Sequence, residues 1–210
     1  MRKTFEIGGL IAAIVLMGFG IGAIVMSVHG RDTVRNSLKL EQITGTPDMT
    51  PAGIKAEGTK AGLKNVSYPS CSVAGKAIDT GARARCFAEY MRIHALEATG
   101  GVPYSLMPRY ATADGKGTNN PAQALKDAKT GQPVDNAARN IWVTETALTN
   151  ALNTSFFAEQ MALFGVVVGI ALLLTGVGFG ILALAGALRS RDAMVHLAST
   201  KTQSKAVPAV

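Results

Sequence analysis

Two stretches of the chain carry no charged side chain at all. Ile7 to Val28 contains no Asp, Glu, Lys or Arg, and neither does Met161 to Leu188. Each exceeds the roughly 20 apolar residues that cross about 30 Å of hydrocarbon at 1.5 Å rise per residue. A buried helix of a soluble core is usually shorter and amphipathic, so both stretches read as membrane-spanning helices. Arg2 and Lys3 precede the first, as they would a signal peptide. Its apolar run outlasts the roughly 7–15 residues of a signal core, and Val28-His29-Gly30 makes a poor cleavage site, so an uncleaved anchor is expected.

Between the spans the pattern changes to that of a folded polar domain. Val34, Leu38 and Ile43 form a sparse helical stripe that can continue the first span. Residues 44–70 are rich in Gly, Pro, Thr and Lys, with Thr46-Pro47-Asp48 and Thr50-Pro51 as turn signals and a short helix expected over Ile54–Leu63. The clearest soluble helix runs from a Thr80 cap to Thr99, with Phe87, Met91, Ala95 and Ala98 at helical spacing and Gly100-Gly101 ending it. Val102 to Tyr110 reads as an extended packed segment. Residues 111–135 read as loop, interrupted by a short helix around Ala122–Ala128. From an Asp135 or Asn136 cap onward, no Pro or Gly occurs until Gly165, so one helix of about 90 Å is expected from about residue 136 into the high 190s. A break at Asn153-Thr154-Ser155 is the alternative. The outer core is expected to form from Phe87, Met91, Ile141, Trp142 and Leu148.

The fold class that follows is an all-α membrane protein, with two transmembrane helices forming a hairpin extended outward under a helical and loop-rich extracytoplasmic cap. Its segments are a tail at 1–6, a span at 7–28, an outer domain at 29–160, a span at 161–188 and a tail at 189–210. Small residues at four-residue spacing, Gly18 with Gly22, Gly165 with Gly169 and Gly176 with Gly180, allow close helix approach in lipid. The spans hold no ionisable group, which argues against a proton relay or ion pathway.

Charge sets the orientation. Arg189, Arg191, Lys201 and Lys205 follow the second span, whereas residues 140–160 hold no Lys or Arg, so both termini are expected in the cytoplasm and the middle outside the plasma membrane. The net charge of +7 is dispersed, with fifteen Lys/Arg against twelve Asp/Glu over residues 29–160. Without a basic run interleaved with aromatics, nucleic acid is not an expected partner. The positive tails suit anionic lipid headgroups. Cys71 and Cys86, the chain's two cysteines, both fall in the outer domain, which suits one disulfide in an oxidising compartment.

Candidate chemistry is sparse. His94 and Glu97 are an i, i+3 pair of the kind that ligates metals in helical bundles, but no second ligand cluster is evident, so neither a metal nor another cofactor is expected. Arg83, Arg92 and Arg109 with Tyr104 and Tyr110 are candidate contacts for a small anionic or lipidic ligand. There is no nucleophile elbow, phosphate loop or dinucleotide fingerprint, and no catalytic residue is predicted.

Four runs carry a resemblance: Cys86-Phe87-Ala88-Glu89-Tyr90-Met91-Arg92-Ile93-His94-Ala95-Leu96-Glu97-Ala98-Thr99; Met107-Pro108-Arg109; Ala138-Arg139-Asn140-Ile141-Trp142-Val143-Thr144-Glu145-Thr146-Ala147-Leu148; and Phe157-Ala158-Glu159-Gln160. Together they resemble a family of actinobacterial two-span membrane proteins without an assigned activity. Members sometimes carry a label as aromatic ring-opening dioxygenases, chemistry whose non-haem iron needs a His/carboxylate cluster that the sequence does not display. The resemblance implies a cell-envelope location and no catalytic residues to carry over. The expected role is a non-catalytic interaction protein, an accessory subunit or self-associating scaffold of an envelope complex. The alternatives are an extracytoplasmic binding module and, behind it, an enzyme.

Overall fold

The computed structural model describes residues 2–185, with side chains from residue 6 onward. The expected tail at 189–210 and the end of the second apolar stretch lie outside the described residues. Among the described residues four helices follow one another: α1 (Arg2–Leu40), α2 (Pro51–Lys60), α3 (Gly81–Ala98) and α4 (Ala138–Leu184), with a 3-10 turn at Tyr104–Leu106 between the last two. No strand forms among the described residues; pairing is limited to isolated bridges such as Thr44 with Ala77 and Tyr110 with Thr118. Both α1 and α4 contain a segment long and apolar enough to cross a membrane. The helix α4 passes through Asn153-Thr154-Ser155 unbroken, and there Thr154 and Ser155 turn their hydroxyls back onto the carbonyls of Asn150 and Ala151.

The chain divides into two compact units, one formed by the residues up to His29 with those from Ala162 onward, the other by Gly30–Met161. In the first unit α1 and α4 run antiparallel and touch through glycine. A Cβ at Gly20 would lie 2.8 Å from the Gly169 carbonyl oxygen, and one at Gly176 would lie 3.0 Å from that of Ala13. Gly165 faces Ser27 in the same seam, and Gly180 lies in ordinary contact with Ala13. Gly18 and Gly22 do not take part: open space surrounds both. Two residues along a helix rotate the side-chain direction by about 200°. The face that holds Gly18 and Gly22 therefore turns away from the one that holds Gly20. Phe19, Met26, Phe164 and Leu174 are exposed, an apolar surface that two helices cannot bury on each other.

The Gly30–Met161 unit has its own core. Tyr90, Ile93, Phe87, Ala84 and Ala88 of α3 pack with Ile54 of α2, Val73 and Ile78 of the intervening loop, Leu38 at the end of α1 and Leu152 of α4. Local chemistry fixes each boundary. Pro51 opens α2 behind a Thr50 hydroxyl that accepts the Gly53 N–H, and Thr80 does the same for Arg83 at the start of α3. The Cys71–Cys86 disulfide, with 6.1 Å between Cα atoms, ties the loop to the first turns of α3, and Tyr90 Oη donates to the Cys71 carbonyl at 2.6 Å. Burial pushes the Tyr90 phenol above its ordinary range, and the nearby carboxylates of Glu89 and Asp48 add to the effect.

A smaller cluster joins Ala95, Met107 and Trp142, with Trp142 Nε1 donating to the Val102 carbonyl at 3.0 Å. Two expectations fail in this unit. Ile141 is exposed, since its neighbour Trp142 takes the inward position one residue further round α4. No helix forms at Ala122–Ala128. There Leu125 N–H bonds the Ala111 carbonyl while the Leu125 carbonyl accepts from Val134, and Asp127 accepts the amides of Lys129 and Thr130. Those partners satisfy the backbone in a turn and leave nothing for a helix to add. The same amides, with the Thr130 hydroxyl, hold the Asp127 carboxyl below its ordinary range.

Candidate functional site

One face of α3 carries the polar groups that converge. His94 lies on it with Met91, Ala95 and Ala98, positions three and four apart that share one side of a helix. Asp48 reaches the imidazole from the loop before α2, its Oδ2 at 3.2 Å from His94 Nε2. Glu97, one turn on, places Oε2 at 3.3 Å from Nδ1. Glu57 of α2 completes the group: one ligand atom from each of Asp48, Glu57 and His94 lies within 4.8 Å of the other two. Thus both ring nitrogens of a single imidazole face carboxylates, and a third carboxylate stands beside them.

Asp48 is held there by its backbone. The Met49 side chain is buried in the core, and the Met49 carbonyl accepts from Val73, Ala74 and the Ser72 hydroxyl. Gly53 lets the chain pass close. A Cβ at that position would lie 2.5 Å from the Asp48 carbonyl oxygen. The sequence displays His94 and Glu97 as a spaced pair, but Asp48 and Glu57 carry no such signal. They lie nine residues apart on either side of a helix cap, and only the folding of α2 onto α3 brings them to the histidine.

Beside this group, an apolar groove of about 520 Å³ opens between α3 and α4. Met91, Ala95 and Ala98 form one wall, and Ile141, Thr144 and Leu148 the other. Glu145 sits at its floor, almost wholly buried, with its carboxylate accepting from the hydroxyls of Thr149 at 3.0 Å and Thr146 at 3.3 Å. On the other side of Glu145 a second cavity of about 650 Å³ is lined by Arg85, Arg92, Asn153 and Phe156 among others.

Of the five candidate contacts for an anionic ligand, Arg109 and Tyr110 meet each other and the other three have partners outside the set. Arg83 pairs with Asp79 at 2.5 Å and donates to the Ala77 carbonyl. Arg92 lies over the Trp142 ring at 5.5 Å, Arg109 over Tyr110 at 5.2 Å, and Tyr104 beneath Arg139 at 4.2 Å. Of the five, Arg92 alone lines either of the two cavities just described. Each of the other cations is engaged by an aromatic face or a carboxylate within its own stretch of chain.

A second polar cluster lies outside the sequence-predicted sites. Glu159 of α4 accepts from Arg31 Nε at 2.9 Å, Arg35 Nε at 2.7 Å and the Gly81 N–H at 2.6 Å. Its side chain is 9% exposed, against 45% and 33% for the two arginines. Burial pushes the Glu159 carboxyl up, but the bonds from Arg31, Gly81 and Arg35 outweigh it and hold the group below the ordinary range. The signal was present in Arg31 and Arg35, like charges at i, i+4 that repel unless an acid joins them. This cluster is a structural clamp: it ties α1, the first turn of α3 and α4 at one buried carboxylate. Comparison of the chain with protein-family models, with curated proteins and with solved structures gives no match, so its function is read from these side chains alone.

Proposed function

We propose that the chain is a non-catalytic integral membrane interaction protein, an accessory subunit or scaffold of a cell-envelope complex, in which two spans form a hairpin and present the Gly30–Met161 unit on the outer side. The apolar groove between α3 and α4 carries this reading. Its walls are hydrocarbon over most of their area, and Ile141 stands exposed at its edge. An apolar patch of this kind on a disulfide-stapled unit is where a partner helix gains most by burial, at about 25 cal/mol per Å². The glycine seam between α1 and α4 supports the hairpin, since it supplies each span with a partner from its own chain.

Purification in mild detergent, followed by native mass spectrometry, tests the reading. The native chain is expected to carry a stoichiometric protein partner or to form a defined oligomer, and Ile141→Arg is expected to lose it while keeping its thermal midpoint. A clean monomer from the native chain, or an assembly that Ile141→Arg leaves intact, refutes it.

A further inference from the structure

We propose that Asp48, Glu57 and His94 form a binding site for one divalent transition-metal ion of the Zn²⁺ or Mn²⁺ class, with Glu97 orienting the histidine from behind. Three observations carry the assignment. The first is the donor set: one imidazole nitrogen and two carboxylates, drawn from the loop before α2, from α2 itself and from α3, bring their ligand atoms within 4.8 Å of one another. Imidazole selects for Zn²⁺ and other transition ions, and carboxylate oxygens are acceptable to both Zn²⁺ and Mn²⁺.

The second is spacing. Two ligands each about 2.0–2.1 Å from a tetrahedral ion stand about 3.3 Å apart. Asp48 Oδ2 and His94 Nε2 are separated by 3.2 Å. Glu57 has its ligand atom within 4.8 Å of the other two, and water or a group from a partner would supply the fourth position. The third is charge. Among the described residues the carboxylates of Asp48, Glu57 and Glu97 form no ion pair with any Lys or Arg; their one cationic partner is the His94 ring, and only when it is protonated. Three anions around one imidazole leave a local excess of negative charge that a divalent cation neutralises.

Glu97 supplies the feature that distinguishes this group from a surface acidic patch. A metal-bound histidine almost always donates its other N–H to a carboxylate or carbonyl, which fixes the tautomer and raises the basicity of the ligating nitrogen. In the tautomer whose Nδ1–H donates to Glu97 Oε2, the nitrogen left free to ligate is Nε2, which lies 3.2 Å from Asp48 Oδ2. One histidine with two carboxylates also differs from the two-histidine, one-carboxylate set of non-haem iron oxygenases. Once bound, the ion would cross-link α2 and α3 and stiffen the wall of the groove that carries His94.

The test uses the full-length, tag-free protein in detergent, stripped with chelator and titrated separately with Zn²⁺, Mn²⁺ and Ca²⁺ by calorimetry. Metal content after dialysis is read by mass spectrometry, and the thermal midpoint is measured with and without each ion. The expected result is one Zn²⁺ or Mn²⁺ per chain and a raised midpoint. His94→Gln is expected to abolish both, and Glu97→Gln to weaken affinity by roughly 10–100-fold without removing a ligand. Asp48→Asn covers the case in which His94→Gln fails to fold, and His196→Gln, in the C-terminal tail, is expected to bind like the native chain. The proposal is overturned if no ion binds below about 0.1 mM, a free energy near 5.5 kcal/mol. It is equally overturned if folded His94→Gln and Asp48→Asn bind as the native chain does, or if Ca²⁺ binds as tightly as Zn²⁺ and Mn²⁺.

Discussion

Replacing Glu159 with Gln isolates the clamp that joins α1, α3 and α4. The substitution keeps the size of the side chain and one acceptor oxygen but removes the charge on which Arg31, Arg35 and the Gly81 N–H converge. Hydrogen bonds to a charged group contribute about 1.5–3 kcal/mol each when desolvated. The two arginines are 45% and 33% exposed, so water recovers much of what they lose, and each is counted at no more than about 1 kcal/mol. The Gly81 N–H is buried and is counted at about 1 kcal/mol. Together these place the loss at about 2–3 kcal/mol, or roughly 6–12 °C in the midpoint of a unit this size. Trp142 is the chain's single tryptophan and is buried in the same unit, so its fluorescence during heating reports the transition directly. The acid limb provides a second readout. Because the Glu159 carboxyl is held below its unfolded value, its contribution is fully present above the ordinary carboxylate pKa of about 4.3 and is lost as the pH falls through the lowered folded value. Glu159→Gln should therefore lose stability at neutral pH and show a shallower decline on further acidification. A midpoint within about 2 °C of native at pH 7, with an unchanged acid profile, would refute the clamp.

Two further perturbations address the remaining contacts. Gly20→Leu drives a side chain into the Gly169 carbonyl and the Leu173 backbone and should disrupt the α1–α4 seam, whereas Gly18→Leu meets open space and should be tolerated; thermal unfolding in detergent separates the two, and equal behaviour would contradict the seam. Cys71→Ser removes a cross-link closing a loop of sequence separation 15, which should cost about 3 kcal/mol; denaturant unfolding of the native protein with and without reductant checks the figure, and coincident curves would count against it.

What the sequence showed and what it concealed follow from the range of each interaction. Helix α3 was readable to within a residue or two because its cap, Thr80, and its apolar spacing are local features. The apolar stretches of α1 and α4 were equally plain, since the absence of charge over so many residues needs no tertiary context. The glycine seam was half readable: periodicity marks small residues, but only the rotation of α1 against α4 shows that Gly20 packs while Gly18 and Gly22 do not. The arginines of the outer unit depend on tertiary context in a related way. Asp79 and Tyr110 each take one locally, and Trp142, far along the chain, takes Arg92. Asp48 and Glu57 were hidden altogether, because no spacing rule links a loop residue, a short helix and His94 before the chain has folded.

The central claim is that two spans hold the Gly30–Met161 unit outside the membrane with both termini inside. Membrane-impermeant maleimide, applied to intact cells that express single-cysteine additions, tests it most directly, since the native cysteines are consumed in the disulfide. Lys116→Cys, on the exposed loop before α4, should label at once, and Ser204→Cys, in the C-terminal tail, only after the membrane is opened. Labelling of Ser204→Cys in intact cells, or protection of Lys116→Cys, would contradict the account.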